Sequence, residues 1–153
     1  MRRMPVLLLF TAVLALMGTG PIAAAETGDV TITADAPFGG PGIFTATGDL
    51  VCPSGTTSES PVQVTGGNQA RALTFHLDKT FICGDGSGSF TLRINAHVQP
   101  CDAHDYGGWA VVAGSGAYAG LRGAGTLVGT YYPTDACDAE GIVDVFSGRL
   151  TAR

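Results

Sequence analysis

This sequence predicts an all-β protein: a small antiparallel barrel of eight strands, stapled by disulfides and preceded by a cleaved signal peptide. Three observations lead there. Beyond the first 25 residues, apolar side chains recur with a period of two, the signature of half-buried strands, and no convincing helical period appears. The segments between these runs are short and rich in Gly, Asp, Ser and Pro, so they leave no room for crossover helices and the strands should pair antiparallel. The four cysteines form an even set, all beyond the leader. In an exported chain that reads as a disulfide framework. A sheet of this size gains from closing on itself, because closure removes exposed edges.

The leader comes first. Arg2 and Arg3 give a positive start, and Val6–Leu16 is an apolar run broken only by Thr11. Gly18, Gly20 and Pro21 end it, and Ala23-Ala24-Ala25 supplies a small-x-small cleavage pattern. The run is shorter than the roughly 20 apolar residues a spanning helix needs. The expected division is a signal peptide over residues 1–25 and a single domain over residues 26–153, exported from the cell and not inserted in a membrane after cleavage.

Strands follow in order. Weak runs are expected at Val30–Ala34, Pro61–Thr65, Trp109–Ala113 and Thr126–Tyr132. Stronger ones start at Ile43, where Phe44, Ala46, Gly48 and Leu50 share a face, and at Leu73, where Phe75 and Leu77 follow. The clearest places Phe90, Leu92, Ile94, Ala96 and Val98 on one face, against Thr91, Arg93, Asn95, His97 and Gln99. Near the C-terminus Ile142, Phe146, Gly148 and Leu150 share a face that also carries Asp144. Phe38–Gly42 reads as a loop between the first two strands, and Gly84-Asp85-Gly86 as a hairpin turn with aspartate at its tip.

Cys52 and Cys83 each close a strand-like run and are followed by turn chemistry, at Pro53-Ser54-Gly55 and at Gly84 onward. Cys101 and Cys137 each sit in an aspartate-rich loop. The expected pairs are Cys52–Cys83 and Cys101–Cys137. Zinc held by Cys101, His104, Cys137 and their neighbouring aspartates is the alternative, but in an exported chain the thiols pair with each other. No metal and no cofactor is expected.

All 13 acidic residues lie beyond the leader, whereas two of the 8 Lys and Arg fall inside it. The exported part is therefore more acidic than the whole chain, whose net charge is −5. Nucleic acid and anionic membranes select for the opposite sign, so neither is an expected partner. No serine stands in a nucleophile-elbow pattern, and the Gly-Asp-Gly run lacks the ligand spacing of a calcium loop. His76, Arg93, Asn95 and His97 would line a lumen only if the apolar faces turned outward; with the apolar faces inward they are solvated exterior. Asp144 is the reverse case, a carboxylate on the expected core face. It needs a partner, for which Arg93 and Tyr131 are candidates, or it marks a cavity that binds something. Asp144, Arg93, Tyr131 and His97 are thus the candidate ligand-binding residues.

The most distinctive stretch is Trp109–Thr126. It reads as strand, sharp turn, strand, with Gly114 and Gly116 at the exit of the first strand and Tyr118 and Leu121 folding back as apolar plugs. Gly123 and Gly125 share a face of the returning strand and leave space for a bulky neighbour. With Gly120, this pattern resembles the glycine-rich hairpin of the allene oxide cyclase-like and dirigent-like barrels, in its secreted bacterial members. Ala113 and Ser115 depart from it conservatively. The resemblance implies an eight-stranded antiparallel barrel, often a homo-oligomer, with a lipophilic cavity in some members. It does not carry over catalytic residues, because the matching motif is structural. Two roles follow as expectations: a secreted, non-catalytic barrel that binds a small apolar ligand or a protein partner, or a cofactor-free isomerase or cyclase that works by positioning its substrate. A cavity of about 300 Å³ or more with a few convergent polar groups would favour ligand binding or catalysis over surface binding.

Overall fold

The computed structural model describes residues 25–66 and 72–153. The expected signal peptide, apart from Ala25, lies outside the described residues. Nine strands follow one another: β1 (Glu26–Pro37), β2 (Gly42–Thr47), β3 (Ser54–Glu59), β4 (Gln63–Gly66), β5 (Leu73–Cys83), β6 (Gly88–Val98), β7 (His104–Gly116), β8 (Arg122–Tyr132) and β9 (Gly141–Ala152). Among the described residues there is no helix, and so none long and apolar enough to cross a membrane.

Every pairing is antiparallel. β2, β1, β9, β8, β7, β6 and β5 lie side by side in that order. β3 then closes the ring, pairing with β2 through Gly42↔Thr57 and with the second half of β5 through Thr57↔Phe81. β4 pairs with the first half of β5, as in Val64↔Phe75. β3 and β4 therefore occupy one place in the ring, interrupted around Pro61, which has no N–H to offer a ladder. The result is the closed eight-stranded barrel that the alternation predicts.

Ser54–Glu59 departs from expectation, because Pro53-Ser54-Gly55 opens a strand instead of only turning. Gly55 is needed there for close approach. A Cβ at that position would come within 2.0 Å of the Ile82 carbonyl oxygen and 2.7 Å of the Phe44 ring. β2 also ends earlier than expected, at Gly48, whose φ of +123° turns the chain away and whose missing Cβ avoids the Asp29 carbonyl 2.6 Å off.

One end of the barrel is solid. Phe44, Phe81, Phe90 and Phe146 meet in its axis, with Phe81 stacked on Phe90 at 5.0 Å and edge-on to Phe44 at 5.2 Å and Phe146 at 5.6 Å. Such pairings stabilise beyond the area they bury. Tyr118, from the turn between β7 and β8, closes this end edge-on to Phe90, with Leu121 buried beside it. The glycine-rich hairpin thus plugs the barrel as its sequence implies. Its returning strand makes room for Trp109: a Cβ at Gly125 or at Gly148 would lie 2.7 or 2.5 Å from the indole. The indole N–H donates to the Thr126 carbonyl at 3.0 Å. Cys52–Cys83 ties the loop after β2 to the end of β5. At the opposite end, Cys101–Cys137 ties the loop between β6 and β7 to that between β8 and β9. Both pairs are those expected.

Candidate functional site

Continued along β5, the alternation that puts Leu73, Phe75 and Leu77 inward also puts Lys79 inward, before Phe81 and Cys83. Lys79 is 1% exposed, as buried as the phenylalanines around it. A lone ammonium there would be costly, so it must be paired. Its Nζ donates to Asp144 Oδ2 on β9 and lies 2.9 Å from Glu59 Oε1 at the end of β3. It also stands 5.7 Å over the Phe146 ring, the last layer of the solid end. Burial alone would lower the Lys79 pKa, but Asp144 and Glu59 outweigh it and hold it above the ordinary lysine value. Burial pushes the Asp144 carboxyl up, against the pull of Lys79. With two carboxylate oxygens on Nζ, the ammonium form is the one the contacts describe.

A second buried carboxylate lies two strands from Asp144. Asp105 pairs in register with Gly129 of β8, and Gly129 in turn with Asp144. The glycine makes the space: a Cβ at Gly129 would sit 2.2 Å from Asp105 Oδ1 and 2.6 Å from the Ile142 side chain. Tyr131 Oη donates to Asp105 Oδ2 at 3.3 Å, while Oδ1 is buried with no hydrogen-bond partner. The Gly129 amide is close enough to favour the charged form without lining up as a bond to that oxygen. Desolvation first, then the charge of Asp144, push the Asp105 carboxyl up to about 6. Burial, with Asp105 close by, also raises the Tyr131 hydroxyl.

These groups form the polar floor of a cavity of about 460 Å³ in the other end of the barrel. Its walls are apolar: Leu73, Phe75 and Leu77 from β5, Ala96 and Val98 from β6, and Ile142 from β9. Phe38, Val62 and Val64 line it too, and they are 57%, 47% and 54% exposed. They form the rim, where the break between β3 and β4 and the turn after β1 leave the barrel open. The Cys101–Cys137 bridge braces the loops at this end.

Of the four candidate ligand-binding residues, the structure brings Asp144 and Tyr131 to this cavity and leaves Arg93 and His97 outside. Arg93 is on the outer face of β6 and chelates Asp78, with Nε to Oδ1 at 2.9 Å and Nη2 to Oδ2 at 3.0 Å. It borders a shallow polar groove of about 330 Å³ with His76 and Asn95, which bond each other at 2.6 Å. His97 is exposed beside Tyr106. Neither Arg93 nor Tyr131 is the partner of Asp144; Lys79 is. Sequence reasoning missed Lys79 by following the alternation from Leu73 only as far as Leu77, and placed Asp105 in the loop after Cys101, among the aspartates of the zinc alternative. Period-two counting, taken two residues further down β5, finds the first. The second carries a weaker signal, its spacing of four from Trp109. Cys101, Asp135 and Cys137 cluster within 4.8 Å, but the disulfide consumes both sulfurs, so the group has no thiolate to offer a metal.

No protein-family model matches the chain, and no curated protein or solved structure matches it significantly.

Proposed function

We propose that this protein is an exported, non-catalytic barrel that holds a small apolar ligand in the open end of its interior. One observation carries this reading: a cavity of about 460 Å³, walled by aliphatic and aromatic side chains, opens between three exposed apolar residues. That is the size and lining of a small-molecule site. A protein that needed only a stable core would have filled the space, because voids forfeit packing energy. The two disulfides fit an oxidising compartment outside the cytoplasm. The glycine-rich hairpin supports kinship with the allene oxide cyclase-like and dirigent-like barrels, which we likewise propose and do not extend to activity.

Mass spectrometry of the protein, purified without denaturation, tests the proposal. A lipophilic molecule should accompany the wild-type chain and be absent from Ala96→Phe, whose ring would occupy the cavity. Recovery of no such molecule from several expression hosts, together with no uptake of an added apolar fluorophore, would overturn it.

A second reading, a cofactor-free isomerase or cyclase, is favoured by Asp105. This buried carboxyl lines the cavity, touches the Tyr131 hydroxyl and has one oxygen unpartnered. Such a group is equipped to move a proton. The same experiment separates the two: a binder returns the added molecule unchanged after incubation, and an enzyme returns an isomer of equal mass and different retention.

A further inference from the structure

We infer that the ligand of this cavity is an amphiphile whose buried end donates hydrogen bonds, an alcohol or an amine, and that carboxylate-headed molecules such as fatty acids are rejected. The inference rests on the cavity reading above and adds the chemistry of the ligand head.

Charge at the floor carries it. Among the described residues that line the cavity, Lys79 is the only cation, and three acids accompany it: Glu59, Asp105 and Asp144. Lys79 is already shared between Asp144 and Glu59. Arg93, the guanidinium on β6, faces outward and is spent on Asp78. An incoming anion would therefore meet acidic groups in excess and a cation that is already neutralised. Burying a like charge beside carboxylates in a medium of low effective dielectric is costly.

Hydrogen-bond supply points the same way. An ionised carboxylate only accepts, an ammonium only donates, and a tyrosine hydroxyl can donate once. Lys79 takes one oxygen from each of Asp144 and Glu59, and Tyr131 takes one from Asp105. Asp105 Oδ1 has no partner in the fold, but it packs over Gly129 with almost no accessible surface. The three carboxylates together offer six oxygens against the four donor hydrogens of Lys79 and Tyr131, so a head that donates complements the floor and one that only accepts does not. The aliphatic walls above then take an alkyl or terpenoid body.

Isothermal titration calorimetry with decanol, decylamine and decanoate tests this, with the purified wild-type protein at about pH 7.5. Their tails are alike, so only the heads discriminate. The alcohol or the amine should bind at least about tenfold more tightly than the carboxylate. Asp105→Asn should weaken decylamine and narrow its lead over decanoate. If decanoate binds as well as the other two, the cavity reading stands and the inference about the head falls. If none of the three binds, both fall.

Discussion

At one end of the barrel four phenylalanine rings, a tyrosine plug and a disulfide pack together; at the other, the same ring of strands lines an open cavity of about 460 Å³. Both ends are built from inward-facing positions of the same strands. β5 runs from Leu73 and Phe75 at the open end, through Lys79, to Phe81 and Cys83 at the solid end. What differs is the packing: four phenylalanine rings meet on one side of Lys79, while mostly aliphatic walls with Phe75, Tyr131 and the carboxylates line the space on the other. Stability is concentrated in the solid end, which frees the open end to carry a void and buried charge.

The largest test of that division uses the disulfides. Chain entropy predicts nearly equal losses for the two, since the bridges span 31 and 36 residues. Their surroundings differ: Cys52 and Cys83 are buried, whereas Cys101 and Cys137 are exposed. Replacing Cys52 and Cys83 together by alanine should cost about 5 kcal/mol, against about 3 kcal/mol for Cys101 and Cys137, because only the first pair also leaves a cavity. Urea unfolding of the two double variants measures this, and equal losses would deny the solid end its special status.

Next comes a pair of phenylalanines on one strand. Phe81→Ala should destabilise by about 4 kcal/mol, since Phe81 is fully buried against three rings. Phe75→Ala, on the cavity wall, should cost about 1 kcal/mol because it enlarges a space that already exists. A cost at Phe75 matching that at Phe81 would mean the open end is packed in solution.

Lys79 sits at the boundary. Lys79→Met should cost about 3 kcal/mol by leaving Asp144 buried without a counter-ion, and adding Asp144→Leu should restore most of it. Failure of the second change to rescue the first would show that the pair is not what Lys79 contributes.

This boundary is also where the sequence stops being transparent. The face of β6 from Phe90 to Val98 is legible residue by residue, because inside and outside alternate without exception. The disulfide pairs follow from where each cysteine stands relative to a strand end. Gly114 is legible because Tyr118, which needs its space, lies four residues on, and Gly125 because Trp109 stands on the facing strand of the same hairpin. β3 is not, because Ser54–Glu59 has almost no apolar content and is held by its neighbours' ladders. The site is half legible. Asp144 stands out as a carboxylate on an apolar face, but its partner lies 65 residues away on a strand it does not neighbour. Adjacent Asp78 and Lys79 look like a solvated strand end, although the alternation carried past Leu77 turns Asp78 outward and Lys79 in, where the closed barrel buries it.

The smallest expected effect is a gain. Asp105 is held at about 6 in the fold against an ordinary 3.8, so between these values the folded chain keeps a proton that the unfolded chain has lost. The stability owed to this group is therefore present at low pH and lost as pH rises through about 6. Asp105→Asn keeps an acceptor for Tyr131 and removes the charge. At neutral pH it should be more stable than wild type by about 2 kcal/mol, with the advantage shrinking toward zero by about pH 4. Thermal unfolding across that range reads the difference directly, since titrations shared by both proteins cancel. Converging curves would mean that the open end keeps an ionised carboxylate at the expense of the fold. Parallel curves would mean that Asp105 is as well solvated as in the unfolded chain, and the two ends would then differ in space alone.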